Sequence, residues 1–206
     1  RFPMSVVISG NENLPEAPAM IIARIVPMFE KFGFTIRSGG LNGTDEMVEK
    51  VSSKVELHLP FKGFNKKEST SQFSNEICKE FARRVEPNID DLSKIPKAIL
   101  EKNPRLLFFF YLTVPAQLVI VWSPDGCERS HEVTPRSGNA GHIVKLATSS
   151  GIPVINLNRP DAEQRIMVYL ENFNVQQQTK APTYEQPTQQ PNQQPANAGK
   201  PIHKPS

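Results

Sequence analysis

Three glycine-rich turns carry the residue types that could hold a phosphate or a ribose. "SGNENLP" follows the first apolar run of the chain, "SGGLNGTDE" follows the second, and "SPDGCERSHEVTPRSGNAGH" lies in the last third. Glycine allows a tight turn and leaves backbone N–H groups open at the start of the next helix, where anions bind. Each turn alone is ordinary turn chemistry, but the combination predicts one ligand site.

Charge distinguishes the second turn from the last one. Asp45 and Glu46 fall in the first turn of a predicted helix, where they suit the helix dipole but repel a phosphate. We therefore expect phosphate at the last turn, and ribose or base near Ser38 and Asp45. The last turn has basic side chains around a helix start without an acid: Arg129, Arg136, His142 and Lys145.

The elements that must position these turns alternate between strand and helix. Short β-branched runs predict strands at 4–10, 34–40, 54–61, 118–126 and 152–157. Apolar positions three and four apart predict helices at 17–32, 44–53, 72–85, 91–101, 139–151 and 161–173. This rhythm predicts an α/β fold: a Rossmann-like, open, mostly parallel sheet flanked by helices, in one domain over 1–174 with a helical insertion at about 66–105.

The segment 175–206 differs from the rest of the chain because it is rich in Gln, Pro and Asn and almost free of large apolar side chains. Such a segment cannot bury enough surface to offset its ordering entropy, so we expect a disordered tail that acts as a spacer.

Charge and cysteine content exclude several classes of protein. The formal net charge is +3, of which the tail contributes +2, so a nucleic-acid groove built on bulk charge is not expected. Two distant cysteines give no disulfide framework, and four scattered histidines give no metal site. No secretion signal or membrane span is predicted, so we expect a reduced, cytoplasmic compartment.

Neither common nucleotide fingerprint is present. The second turn lacks the third glycine of G-x-G-x-x-G, and no Gly-Lys-Ser/Thr closes a P-loop. A dehydrogenase or a P-loop ATPase is therefore disfavoured.

Five segments in order resemble the SLOG nucleotide-binding superfamily, a Rossmann-like group that includes the DNA-processing recombination mediator and the Lonely-guy phosphoribohydrolases. They are "SGNENLP", "IRSGGLNGTDEMVEK", "ELHLPFKGFN", "LVIVWSPDG" and "SGNAGHIVKLATSSGIPVINL". The resemblance is greatest to small phage and bacterial recombination-mediator-like proteins, and it covers roughly 4–161.

The resemblance implies a nucleotide or nucleotide-derived ligand but no particular reaction. Lonely-guy hydrolases carry a catalytic Glu in Pro-Gly-Gly-x-Gly-Thr-x-x-Glu, whereas "SGNAGHIVK" has no carboxylate and Met47 stands three residues after Thr44. No catalytic residue is therefore assigned. The predicted ligand-binding residues are Gly10, Asn11, Arg37, Ser38, Gly39, Gly40, Gly43, Thr44, Asp45, Trp122, Asp125, Gly138, Asn139, Ala140, Gly141 and His142.

Three functions remain open on the sequence alone. The first is a sensor or sequestering module that binds a nucleotide-like ligand without catalysis. The second is a nucleotide-processing hydrolase that uses Asp45, Glu46 or Asp125. The third is a DNA-recombination accessory protein, against which the near-neutral charge of 1–174 counts; a homo-oligomer stays open in each case.

Overall fold

Five strands form one open sheet in the computed structural model, which describes residues 4–68, 75–109, 112–179 and 199. All neighbouring strands are parallel, in the order β3-β2-β1-β4-β5. The strands are β1 Ser5–Gly10, β2 Thr35–Ser38, β3 Val55–Leu57, β4 Leu118–Trp122 and β5 Val154–Asn156. The predicted Rossmann-like α/β architecture is confirmed.

Helices cover both faces of the sheet because alternate residues of the buried strands point to opposite sides. Ile8 and Ile120 pack with α1, α2 and α6 on one face, and Val7 and Val121 pack with α4 and α5 on the other. The helices are α1 Glu16–Lys31, α2 Thr44–Val51, α3 Glu76–Val85, α4 Lys94–Phe108, α5 Gly138–Ser149 and α6 Ala162–Thr179.

Several boundaries differ from the predicted ones. Strand β3 is three residues long, not the eight of 54–61. Helix α4 continues to Phe108, seven residues past the predicted end, because Leu106 and Leu107 are buried against α5 and the sheet. Helix α6 continues to Thr179, so the first five residues of the predicted tail are helical. Positions 72–74 of the predicted third helix and 180–198 and 200–206 of the tail lie outside the described residues.

The apolar run from Leu106 to Trp122 belongs to two elements: its first three residues are the end of helix α4, and its last five form strand β4. Within the part of the chain that the structure describes, no helix is both long and apolar enough to cross a membrane.

The direction of strand addition reverses at β1. Strands β2 and β3 are added on one side, and the chain then returns through α3 and α4 to place β4 on the other side of β1. In open α/β sheets, ligands bind at the carboxyl ends of the strands beside such a crossover. Here that position lies above Gly10 and Trp122, which are paired in register.

Replacing Gly10 by alanine tests how closely β1 and β4 approach at this point. A Cβ on Gly10 would lie 2.6 Å from the carbonyl oxygen and 2.8 Å from the nitrogen of Trp122, both of them backbone atoms that cannot turn aside. We expect Gly10→Ala to lower the free energy of unfolding by about 1–3 kcal/mol, the usual cost of overpacking, in urea denaturation. A variant as stable as the wild type would show that the two strand ends separate at little cost.

Candidate functional site

The three glycine-rich turns meet at the carboxyl edge of the sheet. The Asn11 N–H donates to the carbonyl of Trp122 at 3.2 Å, which joins the first turn to the end of β4. The Thr44 N–H donates to the carbonyl of Asn11, also at 3.2 Å, and Asn139 Nδ2 donates to the carbonyl of Gly10 at 3.3 Å. The first turn therefore lies between the other two and contacts both.

Asn11 accepts hydrogen bonds from N–H groups at the starts of two helices, α2 and α5. Its backbone carbonyl accepts hydrogen bonds from the N–H and, at 2.8 Å, the hydroxyl of Thr44, the first residue of α2. Its side-chain oxygen accepts from the Ala140 N–H of α5 at 2.9 Å, while its Nδ2 donates to the Ser137 carbonyl at 2.7 Å. These helix starts were expected to offer free N–H groups to a ligand, but the protein itself occupies one N–H group of each.

Close packing within the protein explains why glycine occupies six positions in these turns. A Cβ on Gly39 would collide with the ammonium of Lys102, and one on Gly40 would collide with the side chain of Leu59. At the other four glycines a Cβ would lie 3.0 Å or less from another atom of the protein. Gly10 faces Trp122, Gly43 faces the backbone of residues 11–12, Gly138 faces the Asn11 side chain and Gly141 faces Ser137. Their presence is accounted for by packing within the chain, without reference to a phosphate.

Lys102 of helix α4 reaches into the second turn. Its side chain is 0 % exposed, its Nζ has no hydrogen-bond partner among the described residues, and it faces the Cα of Gly39. Burial lowers the pKa of Lys102 to about 8, an effect that the neighbouring Asp45 opposes and the guanidinium of Arg105 reinforces. An ammonium in this position is costly to keep without a partner.

Asp45 faces the same point from helix α2. Its Oδ2 accepts the Leu41 N–H at 3.0 Å, but its Oδ1 is buried and has no partner in the described chain. Burial raises the pKa of Asp45, and Lys102 offsets part of that rise. The hydroxyls of Ser9 and Ser38 also lower it, although the Ser9 hydroxyl is not in hydrogen-bonding geometry.

Asn103, next to Lys102 on α4, connects this buried group to helix α5. Its Nδ2 donates to Asn139 Oδ1 at 2.9 Å and approaches His142 Nδ1 at 3.0 Å, while its own Oδ1 is buried with no partner among described residues. Because an amide NH₂ can only donate, His142 Nδ1 must accept and its Nε2–H donates to the carbonyl of Ala82 at 3.2 Å. His142 is thus a neutral side chain, so it offers no positive charge to an anion.

Sequence reasoning missed Ser9, Lys102 and Asn103. A signal for Lys102 existed, because Ile99 and Leu106 lie three and four residues away and place it on the apolar face of a helix. The helix predicted at 91–101 stops one residue before Lys102. Four buried atoms of this region have no hydrogen-bond partner within the described part of the chain: Ser9 Oγ, Asp45 Oδ1, Lys102 Nζ and Asn103 Oδ1, which we call the inner cluster.

Arg37 does not reach the site. Because it lies on the opposite face of β2 from Ile36, its side chain points under α4, where it is 3 % exposed. Its Nη1 donates to the carbonyls of Leu106 and Val114 at 3.2 and 3.1 Å, and its Nε lies 3.5 Å from the carboxylate of Glu56. Arg37 therefore anchors the end of α4 to the sheet.

Trp122 and Asp125 are also engaged within the fold. Trp122 is 5 % exposed in the core cluster beside α1, which is the packing alternative to stacking on a base, and its Nε1 is buried without a hydrogen-bond partner among the described residues. Asp125 accepts hydrogen bonds from Ser123 at 2.7 Å, Thr134 at 2.6 Å, and Ser137. Partial burial opposes ionisation, but these hydroxyls outweigh it and hold the pKa of Asp125 well below its usual range. Asp125 therefore links three residues of the β4–α5 loop to one another.

An open cleft of about 400 Å³ lies at the start of α5, and none of the four inner-cluster side chains lines it. Helix α4 contributes Leu100 to one wall, the β4–α5 loop forms another, and His142 lies between the cleft and Asn103. Lys145 in this cleft is paired with Glu86 at 3.3 Å. The full lining is Glu86, Leu100, Val133, Thr134, Pro135, Gly138, His142 and Lys145. The cleft is therefore mixed in character and not a cationic phosphate site.

No group of three or more His, Cys, Asp or Glu side chains that could hold a metal ion occurs in 4–68, 75–109, 112–179 and 199. A scan against protein-family models gives no match, and a search of the curated proteins gives none either. The resemblance to the SLOG superfamily therefore stays a prediction.

The double role of Asn11 can be measured with two variants. Asn11→Ala removes the acceptor for Ala140 and the donor for Ser137, so we expect a loss of about 1–2 kcal/mol in the free energy of unfolding. Asn11→Asp keeps an acceptor and loses only the donor, and it should fall between the alanine variant and the wild type. Equal stability of all three proteins would exclude a capping role for this side chain.

His142 makes stability depend on pH. Burial lowers its pKa to about 4, partly opposed by the Ala82 carbonyl and Glu86 and reinforced by Lys145 and Lys102. The unfolded chain takes up this proton near pH 6.5, so stability falls as the pH drops from about 6.5 toward 4. In urea denaturation, His142→Gln should reduce that slope by up to about 1.4 kcal/mol per pH unit. His58, whose pKa burial also lowers, contributes to both proteins alike. Identical slopes would show that His142 titrates normally.

Proposed function

We propose that the protein binds a nucleotide or nucleotide-derived ligand at the carboxyl edge of its sheet, as a sensor or sequestering module without catalysis. We also propose membership of the SLOG superfamily, on the motifs named above. The proposal rests on the inner cluster: four polar atoms that the described chain leaves unsatisfied, buried beside the crossover. Such atoms are rare in folded proteins and call for a partner from outside the chain.

Location and size support the same proposal. The cleft of about 400 Å³ lies within the range of small-ligand pockets and opens where parallel α/β sheets bind their ligands. Apolar side chains of Leu100, Val133 and Pro135 offer contacts to a flat ring, and Thr134 and Lys145 offer donors. The mixture suits a ligand with an aromatic and a polar part.

The experiment combines native mass spectrometry of the purified chain with titration of the four common nucleoside monophosphates by calorimetry. Leu100→Trp should fill the cleft and weaken binding at least tenfold, or about 1.4 kcal/mol. Ile95→Trp, on the exposed part of the same helix, is the matched control and should bind like the wild type. Failure of every nucleotide to bind or co-purify would exclude the proposed function.

One observation favours a nucleotide-processing hydrolase as the second candidate. Burial pushes both Asp45 and Lys102 toward their neutral forms, which is how proteins prepare carboxyl and amino groups for proton transfer near pH 7. Against it, Met47 packs against the core at the position where the Lonely-guy pattern has Glu.

Chromatography after prolonged incubation distinguishes the two candidates. A binding module leaves each nucleoside monophosphate intact, whereas a hydrolase releases free base or phosphate at a rate that Asp45→Asn lowers at least a hundredfold. Release that Asp45→Asn, Glu46→Gln and Asp125→Asn all leave unchanged would point to a contaminating enzyme and leave the binding proposal in place.

A further inference from the structure

The inner cluster offers both hydrogen-bond donors and hydrogen-bond acceptors. Lys102 Nζ carries three donors and the Ser9 hydroxyl one, while Asp45 Oδ1 and Asn103 Oδ1 are acceptors. All four side chains are 0 % exposed, and none of these atoms has a hydrogen-bond partner among the described residues. A partner that satisfies them must therefore present acceptors and donors together.

The four residues lie near one another in the fold. Lys102 Nζ and Asp45 Oδ2 both lie close to the position that a Cβ of Gly39 would take. Ser9 precedes Gly10 on β1 and is near enough to Asp45 to lower the pKa of its carboxyl group. Asn103 contacts Asn139, which in turn donates to the carbonyl of Gly10. The groups therefore surround the ends of β1 and β2 on the side that α4 covers.

A phosphate does not fit this arrangement well. Its oxygens would accept from Lys102 and Ser9, but they would also face the bare oxygens of Asp45 and Asn103, which leaves those acceptors unsatisfied and adds repulsion if Asp45 is ionised. A nucleobase edge carries carbonyl or ring-nitrogen acceptors next to N–H donors, so it can satisfy both kinds of group.

We propose that the inner cluster recognises the hydrogen-bonding edge of a nucleobase, with Lys102 donating to an acceptor of the base and Asp45 and Asn103 accepting from its N–H groups. This rests on the proposed function and adds to it which part of the ligand is buried. The sugar and phosphate then lie in the cleft near Gly138 and Lys145.

Entry of the base requires the side chains of both Asn103 and Lys102 to move, because the space beside Gly39 does not hold even a methyl group. The hydrogen bonds of Asn103 with Asn139 and His142 separate the cleft from the inner cluster. When the Asn103 side chain turns away from α5 and that of Lys102 moves away from Gly39, the base can pass between α4 and the Gly39 turn. Asn103 then exchanges its bonds to α5 for bonds to the base.

Matched ligands and matched variants test this assignment in the full chain. Nucleosides carry a base without phosphate, and ribose 5-phosphate carries a phosphate without a base. Lys102→Met removes the buried ammonium, and Lys97→Met makes the same change on the same helix at a lysine paired with Asp90. Gly39→Ala keeps the charge but puts a methyl group where the ammonium lies, as a second variant should Lys102→Met fail to fold.

We expect the tightest-binding nucleoside to lose about tenfold or more in affinity with Lys102→Met and with Gly39→Ala, and to be unchanged with Lys97→Met. Ribose 5-phosphate should bind all four proteins alike. Loss of ribose 5-phosphate binding with nucleoside binding retained would overturn the proposal in favour of an anion site. Unchanged binding of both ligands would overturn it in favour of a water-filled cluster, while nucleotide binding to the wild type would still uphold the proposed function. If no nucleotide binds the wild type, both proposals fail.

Discussion

The organisation of the carboxyl edge depends on the hydrogen bonds of Asn11. Helices that start at the end of a parallel sheet direct unsatisfied N–H groups toward the same region, and these groups need acceptors. Asn11 supplies acceptors to two of them at once, with its carbonyl for α2 and its side chain for α5. Because the two helices lie on either side of the β1–β4 crossover, this one residue fixes where the second and last turns stand relative to each other.

The consequence is that the unused hydrogen-bonding capacity described at this edge includes side chains as well as helix starts. A Rossmann-like protein that leaves its helix N-termini open binds phosphate with backbone N–H groups. Here those groups are partly used within the chain, whereas buried side chains of β1, α2 and α4 keep unused hydrogen-bonding capacity. Helix α4, which carries Lys102 and Asn103, belongs to the insertion between β3 and β4.

How far the sequence predicts the structure depends on the range of the interactions involved. Parallel pairing follows from short apolar runs and the helices between them, and the meeting of the three turns follows from the geometry of a parallel sheet, whereas the strand order β3-β2-β1-β4-β5 was not predicted. The direction of Arg37 and the environment of Trp122 depend on what covers each face of the sheet, which no local pattern reveals. Asn11 was predicted at the site, but its partners at residues 44 and 140 are brought together only by the fold.

Lys102 shows why the missed residues matter most for function. Leaving an ammonium buried without a hydrogen-bonding partner costs several kcal/mol, whereas methionine of similar volume would cost far less. Its neighbour Asp45 lowers this cost but does not form a hydrogen bond with it. The proposed bound state would supply the acceptor that Lys102 lacks among the described residues. The same reasoning applies to Asn103, whose amide uses its donor groups within the chain and leaves its oxygen free for a ligand.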